Sequence, residues 1–327
     1  MNCSAAVLTM LLTAGPTTPV NCDLTLLPTQ QLKRDILVNT NDVDINCQGG
    51  KLTNVIIQSP LVSGVFKQIK NITVENCHLN NLNVYGIADN GQGPLNVTDS
   101  RTNPNHTAYV QSIAPYGVVA TNNTFTASGT SGGIYLGPGV TNGTFNNNTL
   151  IGSKIGVVIY LDAESAFNTV MYNTFDVNNT SRELIALDGS AKNHVGSNTF
   201  KQYPGGGVYL YRNCGEGITN NGDGAVRWQT PSYNLIDNNV FLVHAGYIQL
   251  NPAVWISKRD QGYLFWLGIP GLSSKFCDAD KGYWPGLNTS STNDNDLSSY
   301  NIVRGNKPDS AIFLNTEITY HDTNIID

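Results

Sequence analysis

The octapeptide Asn168-Thr-Val-Met-Tyr-Asn-Thr-Phe175 holds two asparagines five residues apart, and each recurs along the chain at matching steps. Its Asn-Thr-Phe end appears as Asn123-Thr-Phe125, Asn148-Thr-Leu150, Asn173-Thr-Phe175 and Asn198-Thr-Phe200, a step of 25 residues each time. It returns as Asn239-Val-Phe241 after 41 residues and at Asn306 after a further 67. Its first asparagine recurs at Asn193, Asn234 and Asn301, with steps of 25, 41 and 67. A third column closes a separate set of β-prone runs: Gly133-Ile-Tyr-Leu136, Val157-Val-Ile-Tyr-Leu161, Leu184-Ile-Ala-Leu187, Gly207-Val-Tyr-Leu210 and Ala253-Val-Trp-Ile256.

Three columns in step predict an all-β solenoid, a right-handed parallel β-helix with coils of about 25 residues. Each coil is a few short strands joined by turns, and every strand pairs in parallel with its equivalent about 4.8 Å along the axis. Phe125, Leu150, Phe175 and Phe200 then stack as an apolar column. The corner asparagines stack amide on amide and satisfy turn backbone, so they read as structural. A barrel of alternating strands and helices would need helical periodicity between the strands, and the sequence has none of note. Before residue 118 the repeat is looser, although Asp44-Ile-Asn-Cys47 and Ile72-Thr-Val-Glu-Asn-Cys77 still read as strand-and-corner units.

Composition agrees. Only 13% of the 327 residues are charged, and 32 glycines with many asparagines supply the left-handed positions that tight corners need. The net charge of −6 and the lack of a long basic stripe argue against a nucleic-acid partner. No stretch is long and apolar enough to span a membrane. Residues 1–21 read as a leader or an N-terminal cap, and 22–327 as one β-helix domain. Ala5–Leu12 could form the apolar core of a signal peptide, although the first basic residue is Lys33. Sequons such as Asn71-Ile-Thr and Asn288-Thr-Ser fit an exported protein, yet this composition also generates them unaided.

The two long steps place insertions within 211–232 and 257–300, on one edge of the solenoid. Loops from adjacent coils stand side by side and wall a groove, the usual place for binding and chemistry. All four tryptophans (Trp228, Trp255, Trp266 and Trp284) fall here, as surfaces on which sugar rings could stack or as packing for the loops. Six cysteines show no metal-binding spacing. Cys214 with Cys277, one in each insertion, is the first disulfide expected, and Cys22 with Cys47 the second.

The residues that follow the third column are Gly137, Asp162, Asp188, Tyr211 and Ser257. Asp162 and Asp188 therefore stack one rung apart, with Glu164 beside them and Arg212, Lys258 and Arg259 downstream. Two carboxylates that close ionise together only at a cost, so one turns acid or a cation such as Ca²⁺ neutralises the pair. Both outcomes suit cleavage of a glycosidic bond. In a lyase, Arg212 with Lys258 or Arg259 would neutralise a uronate, and Tyr211 would move the proton. Turn capping is the structural alternative for the two aspartates. His194, beside a corner asparagine, is a weaker candidate.

Four blocks carry a resemblance: Ile159-Tyr-Leu-Asp-Ala-Glu-Ser165, Ala186-Leu-Asp-Gly-Ser190, Val208-Tyr-Leu-Tyr-Arg-Asn-Cys-Gly-Glu-Gly217 and Cys277-Asp-Ala-Asp-Lys-Gly-Tyr283. With them the chain resembles a family of bacterial exported right-handed β-helix proteins of the pectate-lyase-like superfamily. The resemblance implies a polysaccharide-active protein, most commonly a lyase. By position it implies roles for Asp162, Glu164, Asp188, Tyr211, Arg212, Glu216, Arg227, Gln229, Arg259 and Asp278. The chain departs from that family in a further insert at 218–224 and in the apolar run Tyr263-Leu-Phe-Trp-Leu267, and it lacks the Asp-Pro-His motif of alginate epimerases. The expectation is a secreted, cell-surface or periplasmic enzyme that cleaves an anionic, uronate-containing polysaccharide by β-elimination. A glycoside hydrolase using the paired carboxylates, a non-catalytic glycan-binding or adhesion β-helix, and a uronate epimerase are its rivals.

Overall fold

The computed structural model describes residues 2–85, 105–211, 213, 229–242, 251–256, 298–308, 316–318 and 324–326. Three parallel sheets run the length of the solenoid, two of ten strands and one of seven among the described residues. One coil shows the path. Thr169–Met171 lies in sheet two, the chain turns at Asn173, and Thr174–Asn178 lies in sheet three. Ile185–Asp188 then lies in sheet one, and a second turn at Asn193 leads to His194–Gly196, back in sheet two.

Register follows the sequence columns. Phe125, Leu150, Phe175, Phe200 and Phe241 pair in succession across sheet three, all buried. The rings of Phe175 and Phe200 stack at 4.6 Å, and those of Phe200 and Phe241 at 4.5 Å. Each such side chain contributes roughly 1.5–3 kcal/mol through burial. The asparagine corners are built as the repeat predicts. Asn173 Oδ1 accepts from both the backbone N–H and the side-chain amide of Asn148, at 2.9 and 3.0 Å, and Asn173 Nδ2 donates to the Phe145 carbonyl at 2.9 Å. The second column repeats the scheme through Asn193, Asn234 and Asn301, and Asn324 extends it by one coil.

Across the long steps the strands still pair, Val208 with Val254 and Leu235 with Ile302. Most of both insertions, with Cys214 and Cys277, lies outside the described residues.

The Cys22–Cys47 expectation is corrected: Cys3 bonds Cys22, and Cys47 bonds Cys77. Leu24 pairs with Ile45, which puts Cys22 opposite Val43, four residues short of Cys47, or about 13 Å along the strand. On the other side of Cys47, Asn46 pairs with Glu75, and Cys77 comes within a Cα–Cα distance of 4.8 Å.

Two helices are described. Helix α1 (Ala5–Leu11) sends Leu11 into the core. Helix α2 (Asn105–Ile113), which the repeat gave no means of anticipating, buries Val110 and Ile113.

Candidate active site

Sheet one aligns Leu136, Leu161, Leu187 and Leu210, and Asp188 pairs with Tyr211. Asp162 follows Leu161 as Asp188 follows Leu187, so the two carboxylates stand on adjacent coils. Both are buried. Each is met by a tyrosine from the coil before it. The Tyr135 hydroxyl donates to Asp162 Oδ2 at 2.6 Å, and the Tyr160 hydroxyl donates to Asp188 Oδ2. Asp162 Oδ1 also accepts from the Ala163 N–H at 2.7 Å and from Asn213 Nδ2 at 2.9 Å.

Strand alternation puts these tyrosines on the outward face, in one row with Ala186, Tyr209 and Trp255. Tyr135 and Tyr160 stack at 5.8 Å, and Tyr209 meets Trp255 edge-on at 5.1 Å. Trp255 thus joins an aromatic face on the sheet that carries the carboxylates.

Tyr211 ends its strand, Val208–Tyr211, with its hydroxyl between two charges. It donates to Glu183 Oε1 at 2.5 Å and accepts from Arg182 Nη2 at 2.9 Å. Arg182 also grips the Glu183 carboxylate through Nε and Nη2, at 3.0 and 2.9 Å. Burial pulls the Arg182 pKa down, but Tyr211 and the bonded Glu183 carboxylate outweigh it, so the guanidinium is held above its ordinary range. The Glu183 side chain is only 4% exposed, whereas that of Arg182 is 44% exposed. Among the described residues Arg182 Nη1 has no acceptor, which leaves two N–H donors for an incoming anion.

Glu164 has a different environment. Its backbone is left-handed, with φ 60°, and its side chain is fully buried beneath helix α2. Glu164 Oε1 accepts from Thr107 Oγ1 at 2.8 Å and lies 3.0 Å from His106 Nδ1. Gln111 Nε2 donates to the Glu164 carbonyl at 2.8 Å, and Gln229 Nε2 donates to the carbonyls of Ser165 and Gly189. Glu164 and Gln229 therefore tie helix α2 and two coils together. His194 lies in sheet two, with Nε2 at 2.7 Å from Asp237 Oδ1.

Arg212, Glu216, Arg227, Lys258, Arg259 and Asp278 lie outside the described residues, as do Trp228, Trp266 and Trp284. Sequence reasoning missed Tyr135, Tyr160, Arg182, Glu183 and Asn213. The first two were within reach, since each occupies the outward position of the Ile-Tyr-Leu runs.

Among the described residues no calcium site forms around Asp162 and Asp188. Ca²⁺ takes six to eight oxygen ligands. Among the described residues no three Asp, Glu, His or Cys side chains gather as ion ligands would, and each aspartate already accepts from a tyrosine hydroxyl.

Comparison with known proteins agrees with this architecture. The family model described as "Right handed beta helix region" matches residues 41–241. The chain belongs to the right-handed β-helix family. The matched span contains Asp162, Asp188, Arg182, Glu183 and Tyr211. No curated protein matches the chain. Among solved structures, the crystal structure of the Dettilon tailspike protein (gp208) is similar at 11% identity with a TM-score of 0.34, covering 90% of this chain. The chain spans about half (54%) of that tailspike's length.

Proposed function

We infer that this β-helix protein cleaves an acidic, uronate-containing polysaccharide by β-elimination on the outward face of sheet one. The observation that carries the reading is the Tyr211 hydroxyl held between Arg182 and the buried Glu183. β-Elimination needs a base for the proton α to the uronate carboxylate and positive charge for the enolate that forms. The Tyr211 phenol passes its proton to Glu183, and Arg182 stabilises the phenolate. The phenolate takes the C5 proton, the C5 electron pair forms the C4–C5 double bond, and the C4–O bond breaks with its electrons on the leaving oxygen, which takes up a proton from solvent while Glu183 returns its proton to solvent. The two Nη1 donors of Arg182 face no acceptor among the described residues and suit the substrate carboxylate. Arg212, Lys258 and Arg259 are proposed to add positive charge from the insertions. Trp255 with Tyr209 offers an aromatic surface for a neighbouring sugar.

One observation favours hydrolysis as the second reading. Asp162 and Asp188 stand on adjacent coils, a rung spacing of about 4.8 Å, with a tyrosine on each, and a glycosidase uses a pair of carboxyl groups. A secreted or cell-surface setting suits the two disulfides. Among the described residues no helix is long and apolar enough to cross a membrane.

Incubation with a panel of polyuronates distinguishes the readings. Ultraviolet absorbance of an unsaturated uronate that rises together with reducing ends supports elimination. Reducing ends without that absorbance transfer the chemistry to Asp162 and Asp188. Silence in both channels leaves a glycan-binding β-helix.

A further inference from the structure

The turn from sheet one to sheet two carries a left-handed residue in successive coils, and in four of them it stands directly before a buried corner asparagine. Asn71, Gly117 and Asn142 hold this position in three coils, and these residue types adopt the conformation readily. In the next four coils the position belongs to Phe167, Lys192, Tyr233 and Tyr300, with φ of 58°, 57°, 61° and 58°. A bulky side chain is strained there. Burial does not compensate, since Phe167, Tyr233 and Tyr300 are 48%, 57% and 51% exposed.

The four form one continuous row. The backbone N–H of Phe167, Lys192 and Tyr233 bonds in turn to the carbonyl of Ala191, Ser232 and Ser299, each the residue before the next member. Lys192 Nζ sits 5.0 Å from the Phe167 ring centre, and the rings of Tyr233 and Tyr300 stack at 4.9 Å. Three coil steps make the row roughly 14 Å long. The residues immediately before its members are alanine or serine, so the row carries one lysine and no carboxylate in a chain of net charge −6.

We propose that this row is a second glycan-binding strip, separate from the Tyr211 and Arg182 site, which takes an acidic polysaccharide laid along the solenoid axis. Tyr233 and Tyr300 each combine an apolar ring with a hydroxyl, which suits the alternating apolar and polar surface of a sugar. Lys192 supplies the charge that prefers an acidic chain to a neutral one. A sugar chain and a solenoid repeat by comparable lengths, so successive sugars meet successive coils. The strip does not rest on the elimination reading, because it would bind glycan whether or not any bond is cut.

The test replaces the row with the residue that other coils use, as Phe167→Asn, Lys192→Asn, Tyr233→Asn and Tyr300→Asn together. Affinity for polygalacturonate, alginate and hyaluronate is measured by calorimetry in a Tyr211→Phe background, so that turnover cannot consume the probe. Dextran serves as the neutral control. The expected result is binding to at least one acidic polymer, weakened tenfold or more by the fourfold variant, with an unchanged or raised melting temperature. Lys192→Asn alone should remove the preference over dextran. Unchanged affinity, binding to none of the three polymers, or a lowered melting temperature overturns the proposal. Dissociation of an oligomer by the variant overturns it too, by assigning the row to contact between copies of the chain.

Discussion

Tyr135 and Asp162 form a hydrogen bond of 2.6 Å between adjacent coils, and one coil further on Tyr160 and Asp188 repeat it. The solenoid thus reproduces a polar pair as faithfully as it reproduces the phenylalanine stack, because equivalent positions face equivalent neighbours at each rung. Removing one donor isolates its worth. Tyr135→Phe takes a hydroxyl from a buried carboxylate and is expected to cost about 1–3 kcal/mol. Urea unfolding measures the difference, and an unchanged midpoint would show that Asp162 does not depend on that bond.

The asparagine corners set a larger penalty. Asn173→Ala leaves the Asn148 N–H and the Phe145 carbonyl without the partner they now share. One buried N–H orphaned at about 1–3 kcal/mol, with the side-chain bonds to Asn148, Asn198 and the Phe145 carbonyl lost as well, makes this a strongly destabilising change away from the site. The fall in unfolding free energy should far exceed that of an exposed control such as Lys201→Ala, whose side-chain amine meets only the exposed Asp176 at 3.2 Å.

Lys154 gives stability a pH dependence. It is buried, with Nζ donating to the Gly132 carbonyl, and burial brings its pKa down from 10.5 to about 8. The folded protein therefore holds this proton less tightly than the unfolded chain. Below pH 8 the lysine destabilises by about 3 kcal/mol, and the penalty fades as pH rises from 8 to 10.5. Lys154→Met should be the more stable protein at pH 7, with the gap narrowing at pH 10. A gap that does not change with pH would contradict this account.

The Cys47–Cys77 bridge joins residues 30 apart. Its loss through Cys47→Ser with Cys77→Ser should cost about 3–4 kcal/mol if unfolded-chain entropy is the main term. Thermal unfolding with and without a reducing agent checks this, and reduction should lower the melting temperature of the wild type by more than that of the variant, which keeps Cys3–Cys22.

The sequence was most legible where one physical demand recurs on every coil. The corner asparagines and the apolar column are stacked contacts, so each signals itself several times over. The strand-end column placed Asp162, Asp188 and Tyr211 in register for the same reason. Arg182 and Glu183 went unread because they lie in a turn before the strand, where no other coil repeats them. Helix α2, which holds Glu164 through Thr107 and lies close to it at His106, is a single excursion with no counterpart. The pairing of Cys22 failed through register: one coil apart in sequence is not opposite in space, and four residues along a strand separated it from Cys47.

The central claim is that Tyr211, held by Arg182 and Glu183, moves the proton in an elimination. The most direct measurement compares the rate of unsaturated-product formation by the wild type, Tyr211→Phe and Asp162→Asn on the polyuronate that the panel identifies, with folding checked by circular dichroism. The account predicts that Tyr211→Phe slows product formation by roughly 10²–10⁴-fold while remaining folded, the range lost with a proton-transfer group. It predicts a smaller loss for Asp162→Asn. A folded Tyr211→Phe protein that forms product at the wild-type rate would contradict it.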